Sequence, residues 1–177
     1  LHDSGRSNSN FSLNPEDVTV SFFSQRFIPE NYICDERVRM SVYKNLSCAS
    51  DEGGLDNVLY NITDRFGPPP LPLKNLINEL RLRLKAATVG VCSVVQTACG
   101  LACSFVHYGD DSLASSLLEC VELFCDKADI KFHILPSDGV GLCLCLHLLN
   151  DEYSYSLFSS FIDKFSAFKK QLNGALK

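Results

Sequence analysis

The sequence lacks the features that define several large functional classes. No apolar run reaches the roughly 20 residues that span a bilayer, and the longest run, VGLCLCLHLL at residues 140–149, has the length of a strand. No GxxxxGK[ST], GxGxxG or GxSxG motif occurs, so the chain lacks the parts for nucleotide hydrolysis. A net charge of −5 argues against non-specific nucleic-acid binding by the chain as a whole.

The amino-terminal residues, LHDSGRSNSN, are polar and do not resemble a signal peptide. We expect residues 1–16 to be a flexible linker or a cloning remnant, because they are rich in serine and asparagine. The remaining residues, 17–177, have the length and the apolar content of one globular domain. We expect this fragment to be monomeric and to bind no membrane.

The nine cysteines leave two interpretations open. Together with glycosylation-type sequons at Asn10, Asn45 and Asn61 they would suit a secreted protein. Against this, an odd number of cysteines leaves one unpaired, and most cysteines occupy core positions of predicted helices and strands. We therefore favour reduced, buried thiols and a cytoplasmic location.

One predicted helix, residues 51–66, has two distinct faces. Its apolar residues recur at helical spacing and form one stripe, which contains Leu55, Val58, Leu59, Ile62 and Phe66. Gly67 and the three prolines after it predict a sharp end to the helix. A polar stripe lies roughly 125° around the helix and contains Asn57, Asn61, Asp64 and Arg65. The apolar stripe should fix the helix to the domain, which leaves the polar stripe on display.

Asp64 is an unfavourable residue for the last turn of this helix. The helix dipole disfavours an anion there by roughly 0.3–1 kcal/mol, whereas the neighbouring Arg65 suits it. A locally unfavourable charge on a displayed face hints at a binding partner. The simpler alternative is a solvated carboxylate that carries a small penalty.

Three motifs in this region resemble the C-terminal domain of the bacterial transcription-repair coupling factor. They are IPENYI at residues 28–33, the RxxxYK pattern of residues 39–44 and ITDRFGPPP at residues 62–70. The resemblance rests on motifs over residues 27–90 and, from residue 91 onward, only on the order of elements. Asn61 stands where an acidic residue is usual in that family.

The resemblance implies a regulatory, autoinhibitory interaction domain of a larger ATP-driven DNA translocase. Such a parent removes stalled RNA polymerase and recruits nucleotide-excision repair, with ATP and magnesium as its cofactors. This fragment itself would catalyse no reaction and would need no cofactor or metal. It would dock on an N-terminal excinuclease-B-like module of the parent and mask the surface that binds the excinuclease A protein. Asp64 and Arg65 match family positions at the docking surface, and Asn61 matches one where the usual acid is missing.

The predicted elements give an α+β fold, in which an N-terminal helical half is followed by a ββαββα half with a mainly antiparallel sheet covered by helices. The helical half covers residues 27–90 and the second half residues 91–177. A short strand is predicted at 17–23 and helices at 35–49, 51–66 and 73–89. Strands at 91–97 and 101–108 form one hairpin, and strands at 130–135 and 140–148 form another. A helix follows each hairpin.

A small thiol- or zinc-dependent enzyme is one alternative of a different class. Cys143, Cys145 and His147 alternate along one predicted strand, and His133 lies on the strand paired with it. Ligands on one strand are about 6.5 Å apart per step, which is poor spacing for a tetrahedral metal site. We therefore interpret these residues, and Cys99 beside its turn, as packing residues.

A nucleic-acid-binding module is the other alternative. The third helix carries Lys74, Arg81, Arg83 and Lys85, which could contact phosphates. Arg81 and Arg83 lie about 200° apart around the helix, however, so they do not form one stripe. A solvated helix face is the preferred interpretation.

Overall fold

The computed structural model describes residues 13–106, 111–135, 141–147 and 154–175 of the chain. Its helices are α1 (Glu36–Ser47), α2 (Glu52–Phe66), α3 (Leu71–Val89), α4 (Asp111–Ala128) and α5 (Ser154–Ala175). Its strands are β1 (Thr19–Ser21), β2 (Val91–Thr97), β3 (Gly100–Phe105), β4 (Lys131–Leu135) and β5 (Cys143–His147). Among the described residues, no helix combines the length and the apolar character that crossing a membrane requires.

The described chain divides into two compact units. The helical unit is the segment Val20–Lys85, and the sheet unit consists of the described residues on either side of that segment. The boundary falls inside α3, whereas the sequence suggested a change of character after residue 90.

Side-chain caps set the start of two helices in the helical unit. The Asp35 carboxylate accepts hydrogen bonds from the N–H groups of Arg37, at 2.8 Å, and Val38, at 3.3 Å, so α1 begins directly after it. The Asp51 carboxylate accepts a 2.7 Å hydrogen bond from Gly54 and caps α2 in the same way. Both helices therefore begin one residue after their predicted first residue.

The core of the helical unit consists of buried residues from the segment before α1 and from α1, α2 and α3. These are Ile28, Ile33, Val42, Leu46, Leu55, Ile62, Leu73 and Ile77. The predicted apolar stripe of α2 is confirmed, because Leu55 and Ile62 are buried and the other three members pack against the same core. α3 also buries Leu82.

The sheet has the strand order β1-β2-β3-β5-β4. The β2–β3, β3–β5 and β5–β4 pairs are antiparallel. The register places Cys145 of β5 opposite Ala102 on one side and opposite His133 on the other. Residues that lie opposite one another in a sheet share a face, so His133 and Cys145 point to the same side.

Aromatic side chains form much of the sheet unit's core. The Phe124 and Phe161 ring centres lie 5.2 Å apart in an edge-to-face arrangement, which packs α4 against α5. The Phe105 and Phe165 ring centres lie 6.2 Å apart, which brings β3 into contact with α5. α5 therefore packs against the sheet, and the predicted α+β class is confirmed.

Several predicted boundaries need correction. β1 is limited to Thr19–Ser21, and β3 ends at Phe105 rather than at residue 108. Ordered structure also begins before the predicted end of the linker, because the Leu13 N–H donates to the Ala87 carbonyl at 3.0 Å and Pro15–Asp17 forms a 3-10 turn. Residues 1–12 and the strand and helix ends predicted at 107–110, 136–140 and 148–153 lie outside the described residues.

Candidate functional site

The carboxyl end of α2 is held by glycine geometry and by one tyrosine. Gly67 has φ 83° and ψ −167°, a backbone region open almost only to glycine. Its N–H donates to the Thr63 carbonyl at 2.9 Å, and the Tyr32 hydroxyl donates to its carbonyl at 2.6 Å. Burial raises the pKa of Tyr32, which keeps the hydroxyl protonated as a donor. The last turn of α2 is therefore fixed relative to its own unit.

The side of α2 away from the core carries a row of exposed side chains. We call this row the α2 face; it consists of Asn57, Tyr60, Asn61 and Asp64, spaced at i, i+3, i+4 and i+7. Tyr60 was not among the predicted site residues, although it is 72% exposed. Its spacing from Asn57 and Asp64 was the signal that could have identified it, because a large aromatic group on a polar face is characteristic of binding surfaces.

The carboxylates of α2 differ in their partners. The Asp51 side chain caps the helix, Glu52 lies 3.9 Å from the Lys85 ammonium, and Asp56 accepts a charge-assisted hydrogen bond from Arg81. Asp64 has no hydrogen bond or ion pair with any residue that the structure describes. The unfavourable charge identified from the sequence is thus uncompensated within its own unit.

Arg65 lies at the edge of the α2 face. Its guanidinium lies 5.1 Å from the centre of the Phe66 ring, a cation–π contact, and that ring is 6.1 Å from the ring of Tyr32. The four residues predicted for the site, Asn57, Asn61, Asp64 and Arg65, are therefore all exposed on one helix. Their role in binding stays a prediction, because the structure contains no partner.

Most of the basic side chains of α3 are already paired. Arg83 contacts one oxygen of the Glu79 carboxylate at 2.9 Å and Arg26 contacts the other at 2.5 Å, while Arg81 pairs with Asp56. Glu79 is only 8% exposed, so these pairs compensate a buried charge. Cations committed in this way are poor phosphate ligands, which weighs against the nucleic-acid-binding alternative.

All nine cysteines are free thiols, and they divide by burial. Four are buried, two are half-buried and three are exposed, so core packing accounts for fewer of them than expected. Burial raises the pKa of Cys103 and raises that of Cys125 to about 11. A thiol in such an environment stays protonated at neutral pH and is a weak nucleophile. These buried thiols give no support to a thiol enzyme.

One group of side chains in the sheet unit has the donor atoms that a metal ion needs. The ligand atoms of His133, Cys145 and His147 all lie within 4.8 Å of one another. The spacing argument from the sequence considered ligands along one strand, whereas this group includes His133 from the neighbouring strand β4.

Comparisons with known proteins place the chain in a family. The TRCF domain family model matches residues 24–115, just over half of the chain. The transcription-repair-coupling factor of Escherichia coli (strain K12) is 31% identical over 87 residues, which are 49% of this chain and 8% of that protein. The transcription-repair-coupling factor of Mycobacterium bovis (strain ATCC BAA-935 / AF2122/97) is 32% identical over 80 residues, which are 45% of this chain and 6% of that protein.

A solved structure extends the similarity to most of the fold. The crystal structure of the C-terminal domain of transcription-repair coupling factor superposes with a TM-score of 0.71 and covers 91% of this chain and 97% of its own. At 17% identity this match establishes the fold alone. The matched segments span less than a tenth of the E. coli and M. bovis relatives. The resemblance noted in the sequence is confirmed, and the chain belongs to the TRCF domain family.

Proposed function

We propose that this chain is the C-terminal regulatory domain of a transcription-repair coupling factor and that it acts as an intramolecular mask. The parent would be an ATP-driven, magnesium-dependent DNA translocase of the cytoplasm that removes stalled RNA polymerase. This domain would dock on the parent's N-terminal excinuclease-B-like module and cover the surface that binds the excinuclease A protein.

The observation that carries the proposal is the uncompensated Asp64 carboxylate on the α2 face. The other carboxylates of α2 cap the helix or pair with α3, and the helix itself is held by Leu55 and Ile62. A rigid helix that presents one unpaired anion between polar amides and an exposed tyrosine suits a partner with a cationic surface. Tyr60 supplies the large, rigid side chain that is enriched in the parts of interfaces that contribute most to binding.

Masking of this kind does not require a tight interface. An intramolecular partner benefits from a high effective concentration, so even weak docking keeps the masked state populated. A competing protein must overcome that advantage, and loosening the docking should therefore increase its apparent affinity. The proposed mechanism is competition for one surface of the N-terminal module.

The test is a pull-down of the excinuclease A protein by the full-length parent carrying Asp64→Lys. The substitution should preserve the fold, because it replaces an anion by a cation at a helix carboxyl end. It should weaken docking by about 2–5 kcal/mol where the pair is desolvated, so recovery of the excinuclease A protein should rise.

Glu122→Lys is the matched control for this experiment. It makes the same change in net charge at an exposed carboxylate of α4, in the sheet unit. Recovery should equal that of the wild type. Equal recovery by wild type, Asp64→Lys and Glu122→Lys, with all three proteins folded, would contradict the proposed role of the α2 face.

A further inference from the structure

Three donor side chains converge on the face of the sheet that carries Cys145. Cys145 and His147 come from β5, and His133 comes from β4, where it lies directly opposite Cys145. The His133 Nδ1 and the His147 Nε2 are 2.7 Å apart, and no pair of ligand atoms in the group exceeds 4.8 Å. Both imidazoles are exposed, whereas the thiol is buried.

Cys99 is the candidate for a fourth donor beside this group of three. It lies in the turn that joins β2 to β3, with its Sγ 3.4 Å from the Thr97 hydroxyl. The Thr97 hydroxyl and then the Cys145 thiol lower the pKa of Cys99, so the two thiols are close enough to influence one another. Strand pairing brings His133 beside Cys145 and His147, and Cys99 would join them from the β2–β3 turn.

The separations bracket those of a tetrahedral zinc site. Zn–N bonds of about 2.0–2.1 Å and Zn–S bonds of about 2.3 Å require ligand atoms roughly 3.3–3.8 Å apart. The imidazole pair, at 2.7 Å, would open by about 0.6–0.7 Å, and the widest pair, at 4.8 Å, would close by about 1 Å. Small ring rotations suffice for this, because exposed side chains move between rotamers readily.

The chemical types of the four proposed ligands indicate which metal ion the site would bind. Two imidazoles and two thiols form a Cys₂His₂ set, which is one of the recurrent ligand sets of structural zinc. Thiolate and imidazole disfavour magnesium and calcium, which prefer oxygen ligands. Zinc displaces the thiol protons as it binds, and two thiolates would then balance its charge.

We propose that His133, Cys145 and His147, with Cys99 as the fourth ligand, form a zinc-binding site that stabilises the sheet unit. The site joins the β2–β3 turn to β4 and β5. It is independent of the proposed docking function, and it opposes our sequence-based interpretation of these residues as packing residues.

The proposal is tested by metal titration of the reduced, metal-free 177-residue chain. We expect one equivalent of Zn²⁺ to bind and to raise the melting temperature. Co²⁺ should bind in its place and give the intense visible bands of tetrahedral cobalt together with a thiolate-to-cobalt charge-transfer band.

His133→Gln and His147→Gln should each weaken Zn²⁺ binding by about 100-fold or more, since loss of supporting residues alone costs 10–100-fold. Both positions are exposed, so both variants should fold without metal.

Cys143→Ser is the matched control, because Cys143 lies on the same side of β5 two residues before Cys145 and contacts Ser104 instead, at 3.4 Å. It should bind zinc as the wild type does.

Cys99→Ser should keep one equivalent of Co²⁺ but lose about half of the charge-transfer intensity. Less than one equivalent of Zn²⁺ on folded wild-type protein, or wild-type affinity in both histidine variants, would overturn the site. An unchanged Co²⁺ spectrum in Cys99→Ser would exclude Cys99 as a ligand.

Discussion

The two sides of the fifteen-residue helix α2 differ in their surroundings, because one packs in the core and the other is exposed. The core side consists of apolar residues, of which Leu55 is completely buried, and it fixes the position of the helix within its unit. The other side, the α2 face, forms no hydrogen bond or ion pair that would account for its residues within the described chain. Folding therefore accounts for the residues of the core side, and the proposed docking would account for Asp64 and Tyr60 on the other side.

The largest expected effect is a difference in stability between substitutions on the two sides of α2. Leu55→Ala should lower the free energy of unfolding by about 2–5 kcal/mol, because it removes a fully buried side chain and leaves a cavity. Tyr60→Ala, on the exposed side, should change it by less than about 0.5 kcal/mol. Urea unfolding of both variants measures the difference. A loss for Tyr60→Ala as large as that for Leu55→Ala would show that Tyr60 is a structural residue.

The next effect concerns the end of α2, which determines where the displayed side stops. Gly67→Ala should cost about 1–3 kcal/mol, because its backbone conformation is strained for any residue with a side chain. The added Cβ would meet no atom within 4 Å, so the cost should come from the backbone alone. Thermal unfolding of Gly67→Ala, compared with the wild type, measures it. Equal stability of Gly67→Ala and wild type would mean that the helix end tolerates another geometry.

The smallest stability effects distinguish the paired carboxylate from the unpaired one. Asp56→Asn should cost about 0.2–1 kcal/mol, since it removes a partly exposed pair with Arg81. Asp64→Lys should instead leave stability unchanged or raise it by up to about 1 kcal/mol, because it removes an anion from the negative end of the helix dipole. Chemical denaturation in low salt measures both. A clear loss of stability in Asp64→Lys would point to an intramolecular partner for Asp64.

The sequence was most informative where local signals determine the structure. The periodicity of α2, its Asp51 cap and its Gly67 end all depend on neighbouring residues, and the predicted helix was correct to within one residue. The proximity of His133 to Cys145 depends instead on strand register, which a single sequence does not specify. The ion pair of Glu79 with Arg26 was missed for a related reason, because Arg26 is distant in sequence and approaches only in the folded helical unit.

The helical and sheet units also differ in how much of their similarity to the family is visible in sequence motifs. The motifs of the helical unit carried the family resemblance, and the family model matches residues 24–115. The rest of the sheet unit was recognisable only from its order of elements, and the structural match was needed to extend the similarity to 91% of the chain. Fold similarity therefore persists in the sheet unit where motifs do not.

The proposed docking of the α2 face is tested most directly by the affinity of this chain for the separately produced N-terminal excinuclease-B-like module of the proposed parent. Isothermal titration calorimetry should compare wild type, Asp64→Lys and the control Glu122→Lys at one salt concentration. We predict that Asp64→Lys weakens binding by at least about 30-fold, the equivalent of 2 kcal/mol, and that Glu122→Lys binds as the wild type does. Equal affinities for all three folded proteins would contradict docking through the α2 face.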